Sequence, residues 1–283
     1  MRPPAANEEE TDVTRLPTCF LSHGGGPWPW LYGPFRERHQ RLEASLKTRA
    51  RELGERPRAI LVVSGHWEAP EFSVTSGANP GMVYDYAGFP EHTYAIRYPA
   101  PGSPALADRV QRLFEAAGLA IRTEGERGFD HGCFVPLAVM YPEADIPVVQ
   151  LSLKTGYDPA THLAAGRALA PLREEGVLIL GSGLSYHNLR GFGAGAKEAS
   201  KVFDGWLQET LLHVPSDVRS QRLLQWETAP AARRAHPSED HLIPLLVAVG
   251  AAEREPGSCI YHESDFFGGV TASSFCFGGA EPS

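Results

Sequence analysis

The stretch Val177-Leu-Ile-Leu-Gly-Ser-Gly183, which runs on into Leu184-Ser-Tyr-His187, decides the fold class of this chain. A short apolar run bounded by glycines is typical of a buried strand in a parallel sheet, where both faces of the strand are covered. A polar side chain just beyond the carboxyl end of such a strand lies where open α/β sheets build their functional sites. The stretch therefore predicts a buried strand with His187 at a candidate site.

Two other histidines follow apolar runs in the same way. His23 comes after a predicted strand over Thr18–Leu21, and His66 comes after a predicted strand over Ala59–Val63. Because the carboxyl ends of parallel strands meet at one edge of a sheet, we expect His23, His66 and His187 to converge there. Three imidazoles at one edge are the pattern of a mononuclear metal site.

The rest of the chain alternates strands with helices, which predicts an α/β fold: a single domain with a mostly parallel or mixed central sheet and helices on both faces. Ser103 and Asp158 are expected to cap two of the helices. The segment from Glu71 to Pro101 is rich in aromatic residues, and we expect an ordered loop that covers the site. The other predicted elements are helices over 34–55, 135–140, 158–175 and from His236 onward, and strands over Ile121–Glu124, Ile146–Leu153 and Ser273–Phe277.

Composition excludes several classes of protein. The formal net charge is -8 and no block of Lys or Arg is longer than a pair, so nucleic acid is not an expected partner. No apolar run approaches the ~20 residues that a membrane span needs. The four cysteines lie far apart, and we expect reduced thiols in a cytoplasmic protein. An oligomer is possible and stays open.

Residues 17–279 are expected to form the catalytic domain, and residues 1–16 a disordered tail. The first residues are rich in Pro and Glu and lack the apolar segment of a signal peptide. No repeat or linker divides the remainder, so one domain is the simpler interpretation.

Two further histidines join the candidate site. His131 follows an aspartate in a Gly-flanked loop, and His241 is expected in the first turn of a helix, where the helix dipole disfavours a charged imidazole. Neutral imidazole suits zinc, iron or copper, so the spacing predicts a transition-metal site. Five other histidines lie in polar or loop contexts and are expected to be solvated: His39, His92, His162, His213 and His262.

The sequence lacks one of the two motifs that an esterase of this kind needs. His23-Gly-Gly-Gly is similar to the oxyanion loop of some esterases, but that class also needs a G-x-S-x-G nucleophile elbow. The nearest match, Gly183-Leu-Ser185-Tyr-His187, has a histidine where the last glycine belongs.

Seven blocks, in this order along the chain, resemble the class III extradiol ring-cleavage dioxygenases, in the branch that contains the DOPA-cleaving enzymes. The resemblance covers roughly Pro17 to Phe277. The blocks are Leu21-Ser-His23-Gly-Gly-Gly, Val63-Ser-Gly-His66-Trp67, Tyr98-Pro-Ala-Pro-Gly-Ser-Pro104, Gly128-Phe-Asp-His131-Gly132, Pro147-Val-Val-Gln-Leu-Ser152, Gly181-Ser-Gly183 with His187-Asn188-Leu189, and Pro237-Ser-Glu-Asp-His241-Leu-Ile-Pro244.

The resemblance implies an oxidoreductase that opens a catechol ring beside its two hydroxyl groups with O2 at a mononuclear non-haem metal. Carried over by position, the metal ligands are His23, His66 and His241, with Glu239 as an alternative third ligand. His131 and His187 are implied as acid/base residues, and His187 also as a possible fourth ligand. The substrate is a small aromatic diol, and the divalent metal is Fe(II) for oxygen chemistry, with Zn(II) as another expected occupant.

The residue types fit this chemistry. A histidine with a pKa near 6.5 can accept a catechol proton at cellular pH, and a three-ligand face leaves positions open for substrate and O2. Trp67, Tyr86 and Phe89 are candidates for a wall around the ring, although loop packing is the commoner role of such residues. Two other functions remain open: a zinc-dependent hydrolase or deacetylase, and a catalytically silent metal-binding relative.

Overall fold

Eight strands form one mixed sheet in the computed structural model of the protein, which describes residues 15–54 and 56–278. The order across the sheet is β4-β3-β5-β2-β6-β1-β8-β7. The strands are β1 Thr18–Ser22, β2 Ala59–Ala69, β3 Phe72–Thr75, β4 Ile121–Glu124, β5 Val148–Lys154, β6 Val177–Gly183, β7 Gly257–Phe266 and β8 Val270–Phe277.

The four central strands, β5, β2, β6 and β1, are parallel to one another. β3 and β8 pair antiparallel with this central group, and β7 pairs antiparallel with β8. The predicted mixed α/β sheet is therefore confirmed. β1, β2 and β6 bring their carboxyl ends to one edge, because they lie side by side in the same direction.

Nine α-helices lie within the described residues. They are α1 Pro34–Glu37, α2 Gln40–Glu52, α3 Pro104–Ala116, α4 His131–Met140, α5 Pro159–Leu169, α6 Lys197–Gln208, α7 Ser216–Leu224, α8 Ala232–Ala235 and α9 Ile243–Ala251. Short 3-10 segments and one π turn, Glu209–His213, join them. None of the helices in the part of the chain that the structure describes is long and apolar enough to cross a membrane.

Consecutive residues of β6 show that helices cover both faces of the sheet. Gly181 and Gly183 abut the backbone of Pro244 and His241, at the start of α9. Ser182, which points the opposite way, donates its hydroxyl hydrogen to the carbonyl of Gly132 in α4. The predicted arrangement of a sheet between two helical layers is thus confirmed.

Several predicted elements differ from the observed ones. The helix expected over 34–55 is two helices, α1 and α2, separated at Arg38 and His39. The sequence predicts a loop from Glu71 to Pro101, but its first residues form β3. β7 was not predicted, because its mixed burial gives no clear alternation of apolar and polar residues.

The expectation of four reduced thiols is wrong. Cys19 and Cys276 form a disulfide, with their Cα atoms 4.1 Å apart. They face each other in the register between β1 and β8, although 257 residues separate them in sequence. Cys133 and Cys259 are free. The argument for a cytoplasmic location therefore loses the support it drew from the cysteines.

Arg15 and Leu16, the last residues of the predicted tail, lie within the described part of the chain. The backbone N–H of Leu16 donates to the carbonyl of Arg173, and the Leu16 side chain is buried. Leu16 thus packs with the domain. The rest of the predicted tail, residues 1–14, lies outside the described residues.

Candidate metal centre

Three histidines from distant parts of the chain meet at the carboxyl edge of the sheet. The ligand atoms of His23, His66 and His241 lie within 4.8 Å of one another. The His23 ring centroid is 5.0 Å from that of His66 and 5.2 Å from that of His241. Their side chains are mostly or fully buried.

Each histidine reaches this point by a different backbone route. His23 follows the end of β1 directly. His66 lies inside β2, which continues to Ala69, and not beyond its end as predicted; the pairing of β2 with β5 shifts register between Val63 and Glu68. Such a bulge re-aims a side chain while the strand continues.

His241 is delivered by a segment that crosses the strand ends at very short range. A Cβ atom on Gly65 would lie 2.9 Å from the carbonyl oxygen of Asp240, and a Cβ on Gly183 would overlap the carbonyl oxygen of His241. The glycines after the apolar runs therefore make room for this segment. Gly181, Ser182 and Gly183 are the last residues of β6 and have the extended conformation of the strand.

The prediction that a helix dipole keeps His241 neutral is wrong. The helix α9 begins at Ile243, two residues later. Burial, together with the neighbouring histidines, instead lowers the pKa of His241 and of His23 well below the usual value. Burial likewise lowers the pKa of His66 to about 3. All three rings are therefore neutral, the form that binds metal.

The Nε2 atoms of these three rings have lone pairs that could bind a cation. Nδ1 of His66 lies 3.1 Å from Oδ2 of Asp85, and Nδ1 of His241 bonds to Asp240, so both rings carry their proton on Nδ1. Their two Nε2 lone pairs then face each other at 3.1 Å. Nδ1 of His23 donates to the carbonyl of Gly24, which leaves a buried Nε2 with no partner. Nitrogen ligands about 2.1 Å from one ion are about 3.0–3.4 Å apart, so the donor set fits a transition metal.

Two more histidines contact this group, His131 next to His66 and His187 next to His241. The His131 ring centroid is 3.9 Å from that of His66, and Nδ1 of His131 lies 2.8 Å from Oδ1 of Asp85. The His187 ring stacks on His241 with 3.3 Å between centroids. Burial lowers the pKa of His187, against the opposing effect of Asp240.

The alternative third ligand is not brought to this point. Glu239 forms an ion pair of 2.9 Å with Arg233 and belongs to none of the histidine–carboxylate groups found among the described residues.

A cavity of about 400 Å³ opens onto the five histidines. Tyr86 and Phe89 line it, as predicted for a wall around an aromatic ring. Trp67 does not line it; its ring packs against the guanidinium of Arg127 at 4.6 Å. The loop between β3 and α3 covers the site, as predicted, through Asp85, Tyr86 and Phe89.

Comparison with known proteins decides the family. Residues 21–278 match the family described as the catalytic LigB subunit of aromatic ring-opening dioxygenase. The chain belongs to the class III extradiol dioxygenases. The similarity extends over almost the whole chain, so the predicted family is confirmed.

Named relatives of this extradiol dioxygenase agree with that assignment. It is 36% identical to dioxygenase tasH of Hapsidospora irregularis over 96% of this chain and 88% of that protein. It is 41% identical to a 4,5-DOPA dioxygenase extradiol of Beta vulgaris, covering 81% of this chain and 86% of the relative. A crystal structure of an uncharacterized Escherichia coli K12 protein has a TM-score of 0.75 at 31% identity and covers 93% of this chain and 100% of that one. The protein is an aromatic ring-opening dioxygenase, an oxidoreductase with a histidine-rich metal site.

Three residues at or beside the dioxygenase site are not predicted from the sequence. Asp85 had no signal, because it lies 46 residues before His131. For Asp240, the only signal in the sequence is its position next to His241. The sequence predicts a solvated His39, but this side chain is fully buried.

His39 supports the backbone next to His23. Its Nε2 accepts a hydrogen bond of 3.2 Å from the N–H of Gly25, and its ring stacks on Trp28. The indole N–H of Trp28 in turn donates to the carbonyl of His23 over 2.8 Å. His162, also expected to be solvated, is buried and accepts a hydrogen bond from the N–H of Lys154.

Proposed function

We propose that His23, His66 and His241 hold a single divalent metal ion, and that His131 and His187 move the protons of a catechol bound in the adjoining cavity. The observation that carries this proposal is the set of three neutral imidazoles with Nε2 lone pairs that have no other donor. In a family of aromatic ring-opening dioxygenases, such a set supports a metal role for these three side chains.

Fe(II) is the proposed native metal. It supplies the redox chemistry by which O2 reacts with a catechol, whereas Zn(II) binds the same imidazoles but cannot change its oxidation state. The proposed partners are thus a small aromatic diol and O2.

His187 is proposed as the base that accepts a catechol proton. It lines the cavity, and it is grouped with Asp240 and His241, not with His23 and His66. Its ring also lies parallel to that of His241, which supports a place beside the metal ligands.

His131 is proposed as the second acid/base residue. Its Nδ1 is engaged by Asp85, which leaves Nε2 to exchange a proton with a substrate in the cavity. Proton transfer near the bond that breaks is worth roughly two to four orders of magnitude in rate.

The test is oxygen uptake after anaerobic loading with Fe(II). On addition of a catechol and then O2, we expect one O2 consumed for each catechol, with the absorbance of a ring-opened product. The Zn(II)-loaded protein is the matched control and is expected to be inactive. Turnover that is independent of O2, or equal with zinc, contradicts the proposal and favours a hydrolytic function.

The ligand assignment has its own test. His66→Ala is expected to lose most of its bound metal, because two remaining ligands do not form a stable face. Metal content is measured by atomic emission on folded protein, with His92→Ala, an exposed histidine outside the cavity, as the control. Full metal content in His66→Ala contradicts the assignment.

A cytoplasmic location and the oligomeric state stay predictions. Fractionation of the producing cells and sedimentation of the purified protein are the measurements that decide them.

A further inference from the structure

The cavity in front of the histidines has a continuous aromatic wall. We define the wall as the six cavity-lining residues Phe35, Tyr86, Phe89, Phe192, Phe266 and Phe267. Ring centroids step from His131 to Tyr86 (5.7 Å), to Phe89 (5.6 Å), to Phe35 (5.9 Å), to Phe267 (5.3 Å) and to Phe192 (5.6 Å). The wall therefore begins beside a proposed acid/base residue and lines the same cavity as the five histidines.

The same cavity has no cationic side chain that could pair with a negatively charged substituent on the catechol ring. None of its lining residues is Lys or Arg, and its ionisable members are the five histidines, Asp85 and Tyr86. Arg38 contacts the ring of Phe267 at 5.4 Å but does not line the cavity. A carboxylate placed against the wall would lose its hydration without gaining a hydrogen-bonded partner, which is strongly unfavourable.

Phe267 occupies a backbone position that would suit glycine better. Its φ is 53°, in the left-handed region that is uncommon for a bulky side chain. The next two residues, Gly268 and Gly269, complete the turn between β7 and β8. A strained aromatic residue in a cavity wall is the kind of outlier that points to a functional contribution of its side chain.

We propose that the preferred substrate is a catechol with a bulky, uncharged substituent, which packs on the aromatic wall. This inference rests on the proposed function and names its substrate class. It sets the chain apart from relatives whose printed name is 4,5-DOPA dioxygenase, since DOPA carries a carboxylate and an ammonium group.

A second cavity offers an alternative place for the substituent of the catechol. It has a volume of about 890 Å³, shares His66, His187 and Leu189 with the first, and contains Arg190. A charged substituent would have to extend from the first cavity into this second one to reach the guanidinium of Arg190. If the substituent lies in the second cavity, the preference among substrates depends on Arg190. If it packs on the aromatic wall, the preference does not depend on Arg190.

The experiment compares three catechols on the iron-loaded enzyme: catechol, 4-tert-butylcatechol and L-DOPA. We expect kcat/KM for 4-tert-butylcatechol to exceed that for L-DOPA by about tenfold or more, and Arg190→Ala to leave this ratio unchanged. A preference for L-DOPA that Arg190→Ala abolishes overturns the inference. So does an equal kcat/KM for the two substrates.

Phe267→Gly tests the wall itself. Because catechol has no substituent that reaches the wall, we expect kcat/KM for 4-tert-butylcatechol to fall about tenfold in this variant, while that for catechol stays within about twofold. Its Tm is measured to check that the variant remains folded. Tyr157→Gly is the matched control: Tyr157 has a φ of 49° and lines the second cavity only. An equal loss for all three catechols in Phe267→Gly contradicts the inference.

Binding to the Zn(II)-loaded protein gives a measurement that needs no turnover. Calorimetry is expected to show tighter binding of 4-tert-butylcatechol than of L-DOPA, with the difference lost in Phe267→Gly. Tighter binding of L-DOPA overturns the substrate class even if no catechol is cleaved. Absence of turnover with every catechol, beside the expected binding order, contradicts the proposed function alone.

Discussion

Asp85 is a single carboxylate shared by a proposed metal ligand and a proposed acid/base residue. Its two oxygens lie 3.1 Å from Nδ1 of His66 and 2.8 Å from Nδ1 of His131. Burial acts to raise the pKa of Asp85, but its hydrogen bonds and charge interactions with the two histidines outweigh burial and lower it. An ionised Asp85 thus fixes the tautomer of both rings at once.

Asp85→Asn is expected to retain the fold and to reduce turnover or metal affinity by about ten- to hundredfold, because an amide does not replace the charge that orients both imidazoles. Metal content and kcat are measured on the same preparation. Asp108→Asn, a surface carboxylate on α3, is the control. Unchanged metal affinity and unchanged kcat in Asp85→Asn would show that the carboxylate has no positioning role.

His187→Ala separates the two roles that the sequence leaves open for this residue. As a base, its loss spares metal content and lowers kcat by roughly two to four orders of magnitude. As a fourth ligand, its loss weakens metal binding together with activity. We expect the first result, and a variant with full metal content and full turnover contradicts both roles.

The connection between β6 and the segment before α9 is the element-scale feature that assembles the site. The N–H of Leu184 donates to the carbonyl of His241 over 3.1 Å, directly after Gly183. The strand end and the segment that carries His241, a proposed ligand, are thus hydrogen-bonded to each other. The absence of a side chain at Gly183 permits this approach.

Gly183→Ala is expected to displace His241 and to lower both stability and metal affinity, since the added Cβ would overlap the His241 carbonyl oxygen. Overpacking of this kind costs about 1–3 kcal/mol. The control is Gly205→Ala, an exposed glycine in α6 with open space around it, which is expected to stabilise the helix by up to about 1 kcal/mol. Chemical denaturation and metal titration measure both variants, and an unaffected Gly183→Ala would show that the segment can move without cost.

At the scale of the whole molecule, the disulfide joins the first and last strands of the described chain. A cross-link between residues 257 apart restricts the unfolded chain strongly, and such a bond contributes up to about 5 kcal/mol to stability in the chain-entropy account. Both partners are buried: Cys19 is the second residue of β1, and Cys276 is the next-to-last residue of β8.

Thiol alkylation followed by peptide mass spectrometry tests this pairing. In native protein we expect labelling of the exposed Cys259 alone, and after denaturation without reductant also of the buried Cys133. Labelling of Cys19 and Cys276 is expected only after reduction. Alkylation of all four cysteines in denatured, unreduced protein would show that the pair is not bonded.

The sequence by itself determined the central strands, the caps and the family. Short apolar runs before glycine specify buried strands locally, and Ser103 and Asp158 do cap their helices, accepting hydrogen bonds from the N–H groups of Leu106 and Thr161. These features need only a few neighbouring residues, so a single sequence shows them. The parallel direction of β1, β2 and β6 then implied that their histidines share one edge of the sheet.

Only the tertiary structure decided which polar side chains serve those histidines. Asp85 reaches His131 across 46 residues, and Cys19 reaches Cys276 across 257, so neither pair leaves a local pattern in the sequence. The burial of His39 is likewise set by Trp28 and the glycine loop packed against it. Pairing between distant residues depends on how the strands and loops are packed together, and that is why the supporting residues of the site emerged only from the folded chain.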